Sequence, residues 1–136
     1  MPYTINYRFD TPLLRCQVEG KRKVSESLEL WRTLLKKCQL DDIRYLLLVY
    51  NLKGVITSVE MLNAMTPLLS LIKKEIPQLT IALVDHNPES LQHNYIIGIL
   101  GKLENIRGDI FDNVHDAEKW ILDKIRADRN EEQPVI

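Results

Sequence analysis

The chain has 136 residues, of which 45% are hydrophobic and 27% are charged. This length suits one domain with its own hydrophobic core, and the composition is typical of a globular protein and unlike that of a disordered one. The 18 Lys and Arg residues nearly balance the 19 Asp and Glu residues. The resulting net charge of -1 excludes a strong overall attraction to nucleic acid or to an anionic membrane.

The cysteine count and the N-terminus indicate where the protein resides. Cys16 and Cys38 are too few for a disulfide scaffold, and both fall on positions that are predicted to face inward. The N-terminal residues lack the charged-then-apolar pattern of an export signal, and no apolar run approaches the roughly 18 residues of a membrane span. We therefore expect a cytoplasmic protein with two buried thiols and no membrane span.

The first two predicted elements are strands that form an antiparallel hairpin. Apolar and polar residues alternate over residues 3–9 and again over residues 13–19, which is the period of strands with one solvated face. The Asp-Thr-Pro segment at 10–12 predicts a tight turn, and Gly20 is predicted to end the hairpin.

The period then changes to 3.6 residues, which predicts a first helix with Ser25 or a neighbouring residue as its cap. Residues 45–50 are apolar without alternation, which indicates a central parallel strand covered on both faces. Residues 51–54 are predicted to form the loop beyond it. The buried stripe of the helix is predicted to contain Leu28, Trp31, Leu34, Leu35 and Cys38.

The second predicted helix starts at a capping-box pattern. Residues 57–60 read Thr-Ser-Val-Glu, in which Thr57 and Glu60 satisfy each other's exposed backbone amides. Pro67 lies inside this helix and is expected to kink or split it, because proline removes an amide and crowds the preceding turn. Pro77 is predicted to stop the helix.

The remaining segments predict two further strands and two further helices. The strands cover residues 79–84 and 106–111, the second as a partly exposed edge; a helix between them runs from Pro88 to about Leu103. Asp112 and Asn113 are predicted to cap the last helix, and residues 128–136 to form a polar, flexible tail after a single domain of residues 1–127. The stripe of that helix is Ala117, Trp120, Ile121 and Ile125.

The element order is β-β-α-β-α-β-α-β-α, which predicts an α/β fold with a mixed, mostly parallel five-stranded sheet and four helices. Three segments, at 45–55, 81–85 and 116–122, carry a resemblance to a known family. The chain resembles the STAS domain superfamily, and most of all its uncharacterised SpoIIAA-like branch, over about residues 3–125. The resemblance implies a bacterial-type, non-enzymatic regulatory module that binds another protein.

One family feature is not carried over. In anti-sigma-factor antagonists of this family, the central strand leads to an Asp-Ser pair whose serine is phosphorylated by a partner kinase. Asn51 stands at the position of the aspartate here, and the nearest hydroxyl groups belong to Thr57 and Ser58. Ser58 is therefore a hypothesis for a phosphorylation switch, and unchanged partner binding by Ser58→Asp would remove it.

The carboxyl edge of the parallel strands is the predicted place for a ligand or partner. Loops and helix N-termini converge at that edge and offer free amides to an anionic group. The competing interpretation, which we favour, is that these residues serve only turns and caps. The candidates are Asn51, Lys53, Thr57, Ser58, Asp85, His86 and Asn87, with Asp112 and Asn113 nearby.

The third predicted helix is apolar over about half of its circumference, and Ile97 lies outside even that broad stripe. Such breadth indicates deep burial, which is the favoured interpretation, or else a protein interface or an apolar ligand groove. The interface or pocket candidates are Tyr95, Ile96, Ile97 and Leu100.

Three functional hypotheses follow. The first is a protein-interaction module, alone or as a homodimer. The second is a carrier of a small anionic molecule or a lipid, by analogy with Sec14-like domains. The third is a hydrolase that uses Asp85 and His86. It is the weakest, because the sequence has no nucleophile motif, no metal-ligand spacing and no cofactor-binding motif. The sequence also has no pattern typical of a nucleic-acid-binding surface.

Overall fold

The computed structural model describes residues 3–21, 23–54, 58–87 and 91–132. The elements follow the predicted order of strands and helices. They are β1 (Tyr3–Asp10), β2 (Leu13–Lys21), α1 (Val24–Leu40), β3 (Tyr45–Lys53), α2 (Ser58–Glu75), β4 (Thr80–Asp85), α3 (Leu91–Leu103), β5 (Arg107–Phe111) and α4 (Val114–Glu132).

The five strands form one mixed sheet in the order β1-β2-β3-β4-β5. β1 pairs with β2 in antiparallel fashion, and every other neighbouring pair is parallel. The predicted α/β class and mixed sheet are therefore confirmed. β3 lies inside the sheet and β5 lies at its edge, as predicted.

α1 and α2 cover one face of the sheet, and α3 lies beside α2. Buried side chains of α1, such as Leu34 and Leu35, pack between α2 and the inward-facing residues of β2, β3 and β4. Within this layer the indole Nε1 of Trp31 donates a hydrogen bond of 2.9 Å to the hydroxyl of Tyr50. This bond satisfies the polar group that burying a tryptophan would otherwise leave without a partner.

α4 returns across the opposite face of the sheet. Its residues Ala117, Ile121 and Ile125 pack on apolar residues of β2, β3 and β4, including Leu13 and Leu47. Trp120 is half-buried, and its ring centroid lies 5.8 Å from that of Phe111 on β5. The predicted stripe of the last helix is confirmed.

Two neighbouring strands, β2 and β3, are longer than predicted. The antiparallel pairing of the described residues ends where Gly20 faces Tyr3, as predicted, but β2 itself continues through Gly20, which has a φ of 142° and pairs with Leu52, to Lys21. β3 likewise continues through Lys53 because β2 extends beside it and supplies the pairing partners. Residues 51–53 therefore belong to a strand and not to the predicted loop.

The start of the first helix agrees with its prediction, whereas the end of the last helix does not. Of the predicted alternatives for the cap of α1, a neighbour of Ser25 is found: Lys23 is the N-cap, without a side-chain cap bond, and Ser25 lies inside the helix. α4 continues to Glu132, so the predicted start of the flexible tail at residue 128 is too early. The reason is that Asp128 accepts bonds of 2.6 and 2.9 Å from the Arg107 guanidinium and a further one from the Tyr45 hydroxyl, which hold this end of α4 to the sheet.

α2 is a single helix that passes through Pro67, so the proline does not split it. Thr57, and with it the predicted capping box, lies outside the described residues. In the part of the chain that the structure describes, no helix combines the length and apolar composition needed to cross a membrane.

Candidate functional site at the carboxyl edge of the sheet

Asp85 is the last residue of β4, and its side chain is buried with 4% exposure. Its Oδ1 accepts a hydrogen bond of 3.1 Å from the backbone N–H of Asn87, and its Oδ2 accepts one of 3.2 Å from Nδ2 of Asn94. A buried carboxylate requires such donors to offset the loss of water. Asp85 therefore ties the end of β4 to the turn that follows and to α3.

Asn87 connects this turn to the end of β3. Its Nδ2 donates a hydrogen bond of 3.2 Å to the carbonyl oxygen of Gly54. Gly54 has a φ of 96°, in a region of backbone conformation that glycine adopts without a steric cost. The end of β3 and the turn after β4 line a cleft of about 370 Å³ that we name the β3 cleft. It is lined by Tyr50, Asn51, Leu52, Lys53, Gly54, His86 and Asn87.

A larger groove of about 630 Å³ lies between α3 and the carboxyl end of β5, and we name it the α3 groove. It shares His86 and Asn87 with the β3 cleft. Its lining residues are Asp85, His86, Asn87, Asn94, Tyr95, Gly98, Ile99, Lys102, Asp109, Ile110, Phe111 and Asp112.

α3 presents one of its faces to this groove, because Tyr95, Gly98, Ile99 and Lys102 are spaced as i, i+3, i+4 and i+7. A Cβ atom added to Gly98 would meet nothing within 4 Å, so the helix backbone is open to the groove at that point. The apolar part of the face is uncovered. Tyr95 is 72% exposed and Ile99 is 45% exposed, and Leu103, one turn further, is 73% exposed.

The favoured interpretation of α3 as a deeply buried helix is wrong. No residue from 94 to 103 is buried, and the helix packs mainly on the edge strand β5 and lightly on α2. Ile96, Ile97 and Leu100 are half-buried and are not among the described lining of the α3 groove. Tyr95 is thus the one apolar candidate of the four that faces the groove.

The polar part of the α3 groove has an excess of negative charge. Asp85, Asp109 and Asp112 contribute three carboxylates, whereas Lys102 contributes one ammonium group and His86 one imidazole. Oδ1 of Asp109 accepts a bond of 2.8 Å from the N–H of Ile110, and Oδ1 of Asp112 accepts one of 2.8 Å from Nδ2 of Asn113. Among the residues described, no group of three or more His, Cys, Asp or Glu is arranged to hold a metal ion.

Asn113 is the N-cap of α4, as predicted. Its Oδ1 accepts a hydrogen bond of 2.8 Å from the backbone N–H of Asp116, and this satisfies one of the unpaired amides of the first turn. Asp112, which was predicted to share the capping role, lines the α3 groove.

The structure brings together five of the seven residues predicted at the carboxyl edge. Asn51 and Lys53 line the β3 cleft, while Asp85 lines the α3 groove and His86 and Asn87 line both. Thr57 lies outside the described residues, as does the side chain of Ser58, which begins α2.

Sequence reasoning missed several lining residues of the α3 groove. The helical spacing from Tyr95 to Ile99 and Lys102 is a signal that could have identified that wall. Asp109 carries no comparable signal, because only the pairing of β5 with β4 brings it beside α3. The residues missed are Asn94, Gly98, Ile99, Lys102, Asp109, Ile110 and Phe111.

Asp85 and His86 do reach the same groove, as the hydrolase hypothesis requires. The described lining of both clefts contains no serine, threonine or cysteine, and the hydroxyl groups there belong to Tyr50 and Tyr95. The hydrolase hypothesis therefore lacks an aliphatic hydroxyl or thiol nucleophile among these residues.

Neither cysteine lines the β3 cleft or the α3 groove. Cys16 and Cys38 are buried and free in the layer beneath α1. Burial raises the pKa of the Cys16 thiol to about 12 and that of Cys38 to about 11. Thiols with such pKa values are protonated at neutral pH and are poor nucleophiles.

No protein-family model and no curated protein sequence matches the chain. Solved structures are similar to it. The crystal structure of an anti-sigma factor antagonist from Mycobacterium paratuberculosis has a TM-score of 0.59 and 14% identity, and the match covers 88% of this chain and 93% of that one. The chain has the STAS-type fold of that antagonist. The NMR structure of the protein TM1081 is also similar, with 14% identity, coverage of 85% and 86%, and a TM-score of 0.49.

At 14% identity this likeness shows the fold alone. The predicted STAS-type fold is confirmed, and it extends over most of the chain.

Proposed function

We propose that this chain is a non-enzymatic regulatory module that acts by binding another protein through α3 and the carboxyl edge of its sheet. The observation that carries the proposal is the uncovered apolar row of Tyr95, Ile99 and Leu103 on α3. Both faces of the sheet already have filled cores, so this row is not needed to complete the fold. Exposed apolar patches with polar rims are typical of interaction sites.

The fold supports the same proposal. The similar structure from Mycobacterium paratuberculosis is named as an anti-sigma factor antagonist, a name for a protein that acts on another protein. We extend a role of that kind to this chain as a bacterial-type, cytoplasmic module. The partner is a different protein or a second copy of the chain.

A carrier of a small anionic molecule or a lipid is the second candidate. The α3 groove, at about 630 Å³, has a volume in the range of small-molecule sites. Its openness argues against this role, because five of its lining residues are exposed and a bound ligand would remain in contact with water. Carrier sites usually enclose most of the ligand surface. The exposed residues are His86, Tyr95, Ile99, Lys102 and Asp112.

The test is affinity purification from the native cells with three forms of the chain. One form is unaltered, and one carries Ile99→Asp and Leu103→Asp. The third carries Leu122→Asp as a matched control, because Leu122 is an exposed leucine on α4. We expect the Ile99→Asp, Leu103→Asp form, the α3 variant, to lose its partner and the Leu122 variant to keep it. Native mass spectrometry of each eluate identifies what remains bound.

Two results would contradict the proposal. Retention of every partner by the α3 variant would move the interface elsewhere. A small molecule bound to the unaltered chain and lost from the α3 variant would place the carrier function first.

A further inference from the structure

We infer that the segment received by the α3 groove is a helix with an apolar stripe flanked by basic residues. The inference rests on the proposed function and specifies the chemistry of the partner. It follows from the shape of the apolar wall and from the charge of the groove beside it.

The exposed apolar row fits a helix. Tyr95, Ile99 and Leu103 follow one another at four-residue spacing and extend along α3 for about 12 Å, given a rise of 1.5 Å per residue. A partner helix presents apolar residues at the same spacing, so that ridges and grooves of the two helices interlock. Ile110 and Phe111 extend the apolar contact from the β5 side of the groove.

The charge of the groove selects a basic partner. Asp109 is half-buried and Asp112 is exposed, and neither has an ion pair with any described residue. Asp85 also lines the groove, but it is buried and its oxygens accept hydrogen bonds from Asn87 and Asn94. Arg or Lys residues beside the apolar stripe of a partner would complement Asp109 and Asp112, and arginine would do so best because it can bind a carboxylate with two N–H groups.

A second copy of the chain fits this groove less well. Each copy would bring three carboxylates and a single lysine from the described lining to a two-fold contact. Like charges placed opposite each other at an interface disfavour association. We therefore commit to a different protein, and self-association becomes an outcome of the test.

The test uses three synthetic helical peptides with one shared apolar stripe and with Arg, Gln or Glu at the flanking positions. Each is titrated against the full ¹⁵N-labelled chain, against an Asp109→Asn, Asp112→Asn double variant, and against Asp123→Asn. Asp123 serves as the control because it is an exposed carboxylate on α4 that pairs with Arg126. Asparagine keeps an oxygen at Oδ1, so the bonds from Ile110 and Asn113 can persist.

We expect affinity to fall in the order Arg, Gln, Glu, with chemical-shift changes at Tyr95, Ile99 and Phe111. The double variant should weaken binding of the Arg peptide roughly three- to tenfold, the range for two partly exposed ion pairs, and leave the Gln peptide unchanged. Asp123→Asn should change neither affinity.

Three results would overturn the inference. The first is equal affinity for the three peptides or no binding by any of them. The second is a set of shift changes on another surface. The third is a concentration-dependent dimer that Ile99→Asp abolishes, since the second copy would then occupy the groove. None of these results refutes the proposed function, which is contradicted by the two results named for it above.

Discussion

Helices α1 and α3 both connect neighbouring parallel strands, and both pack on the side of the sheet where α2 lies. Both are apolar in sequence, yet their surroundings differ. α1 has five buried residues among those described, including Trp31 and Leu34, whereas the described part of α3 has none. Leu103 on α3 is 73% exposed.

The difference comes from where each helix lies. α1 covers the connection between β2 and β3 in the interior of the sheet and has α2 against its side. α3 covers the connection to the edge strand β5, packs mainly on that strand and contacts α2 only lightly. An amphipathic helix in an interior position buries its apolar residues in the core, whereas the more apolar helix at the edge leaves Tyr95, Ile99 and Leu103 exposed.

The largest expected effect is on the free energy of unfolding, when truncation of a buried leucine on α1 is compared with truncation of an exposed isoleucine on α3. Leu34→Ala on α1 should lower the free energy of unfolding by about 2–5 kcal/mol, because Leu34 has no exposed surface and its truncation leaves a cavity. Ile99→Ala on α3 should change it by less than about 0.5 kcal/mol. Urea titrations followed by tryptophan fluorescence measure both values. A comparable loss for Ile99→Ala would mean that α3 is part of the core.

A smaller effect concerns the thiols beneath α1. Cys16 and Cys38 are buried, with pKa values raised by that burial to about 12 and about 11. Ellman's reagent should therefore react with the native chain at least about 100-fold more slowly than with the chain unfolded in urea, because labelling requires the α1 layer to open. Fast labelling without urea would show that α1 opens as readily as a surface helix.

The smallest effect concerns the attachment of α4 to the opposite face. The Arg107 guanidinium beside Asp128 holds the pKa of that carboxyl below its usual range, and the Tyr45 hydroxyl acts in the same direction. The stabilisation is therefore present above the unfolded pKa near 4 and is lost as the pH falls through the lower folded value. At pH 7, Asp128→Asn should lower the free energy of unfolding by about 0.5–1 kcal/mol, since the pair is partly exposed.

The pH dependence supplies the control for this measurement. The difference between the unaltered chain and Asp128→Asn should shrink in urea titrations below about pH 4. Asp123→Asn removes an exposed pair on the same helix and should have less effect at every pH. A difference that persists at low pH would show that packing and not charge holds this end of α4.

Much of the fold could be predicted from the sequence, because each element carries its own period. The alternation in β1 and β2, the apolar run of β3 and the stripe of Ala117, Ile121 and Ile125 all gave the right element at the right place. The continuation of β3 to Lys53 could not be predicted, because it depends on pairing with β2. The extension of α4 depends in the same way on a distant partner, Arg107.

The candidate site was predictable in part. Loops that follow parallel strands meet at one edge by the rules of the fold, and this placed His86 and Asn87 near Asn51 before any coordinates. Asp109 and Ile99 belong to the same region through the packing of α3 on β5, which no local pattern encodes. The exposure of α3 was missed for the same reason.

α4 is the final element of the described fold, and it alone supplies the helical cover for residues from β2, β3 and β4, among them Leu13, Leu47 and Val84. During synthesis these side chains emerge long before the helix that shields them. A nascent chain that has been made as far as β5 therefore lacks the helix that covers this face of the sheet. Completion of α4 is the step at which the growing polypeptide covers the apolar residues on this face of the sheet.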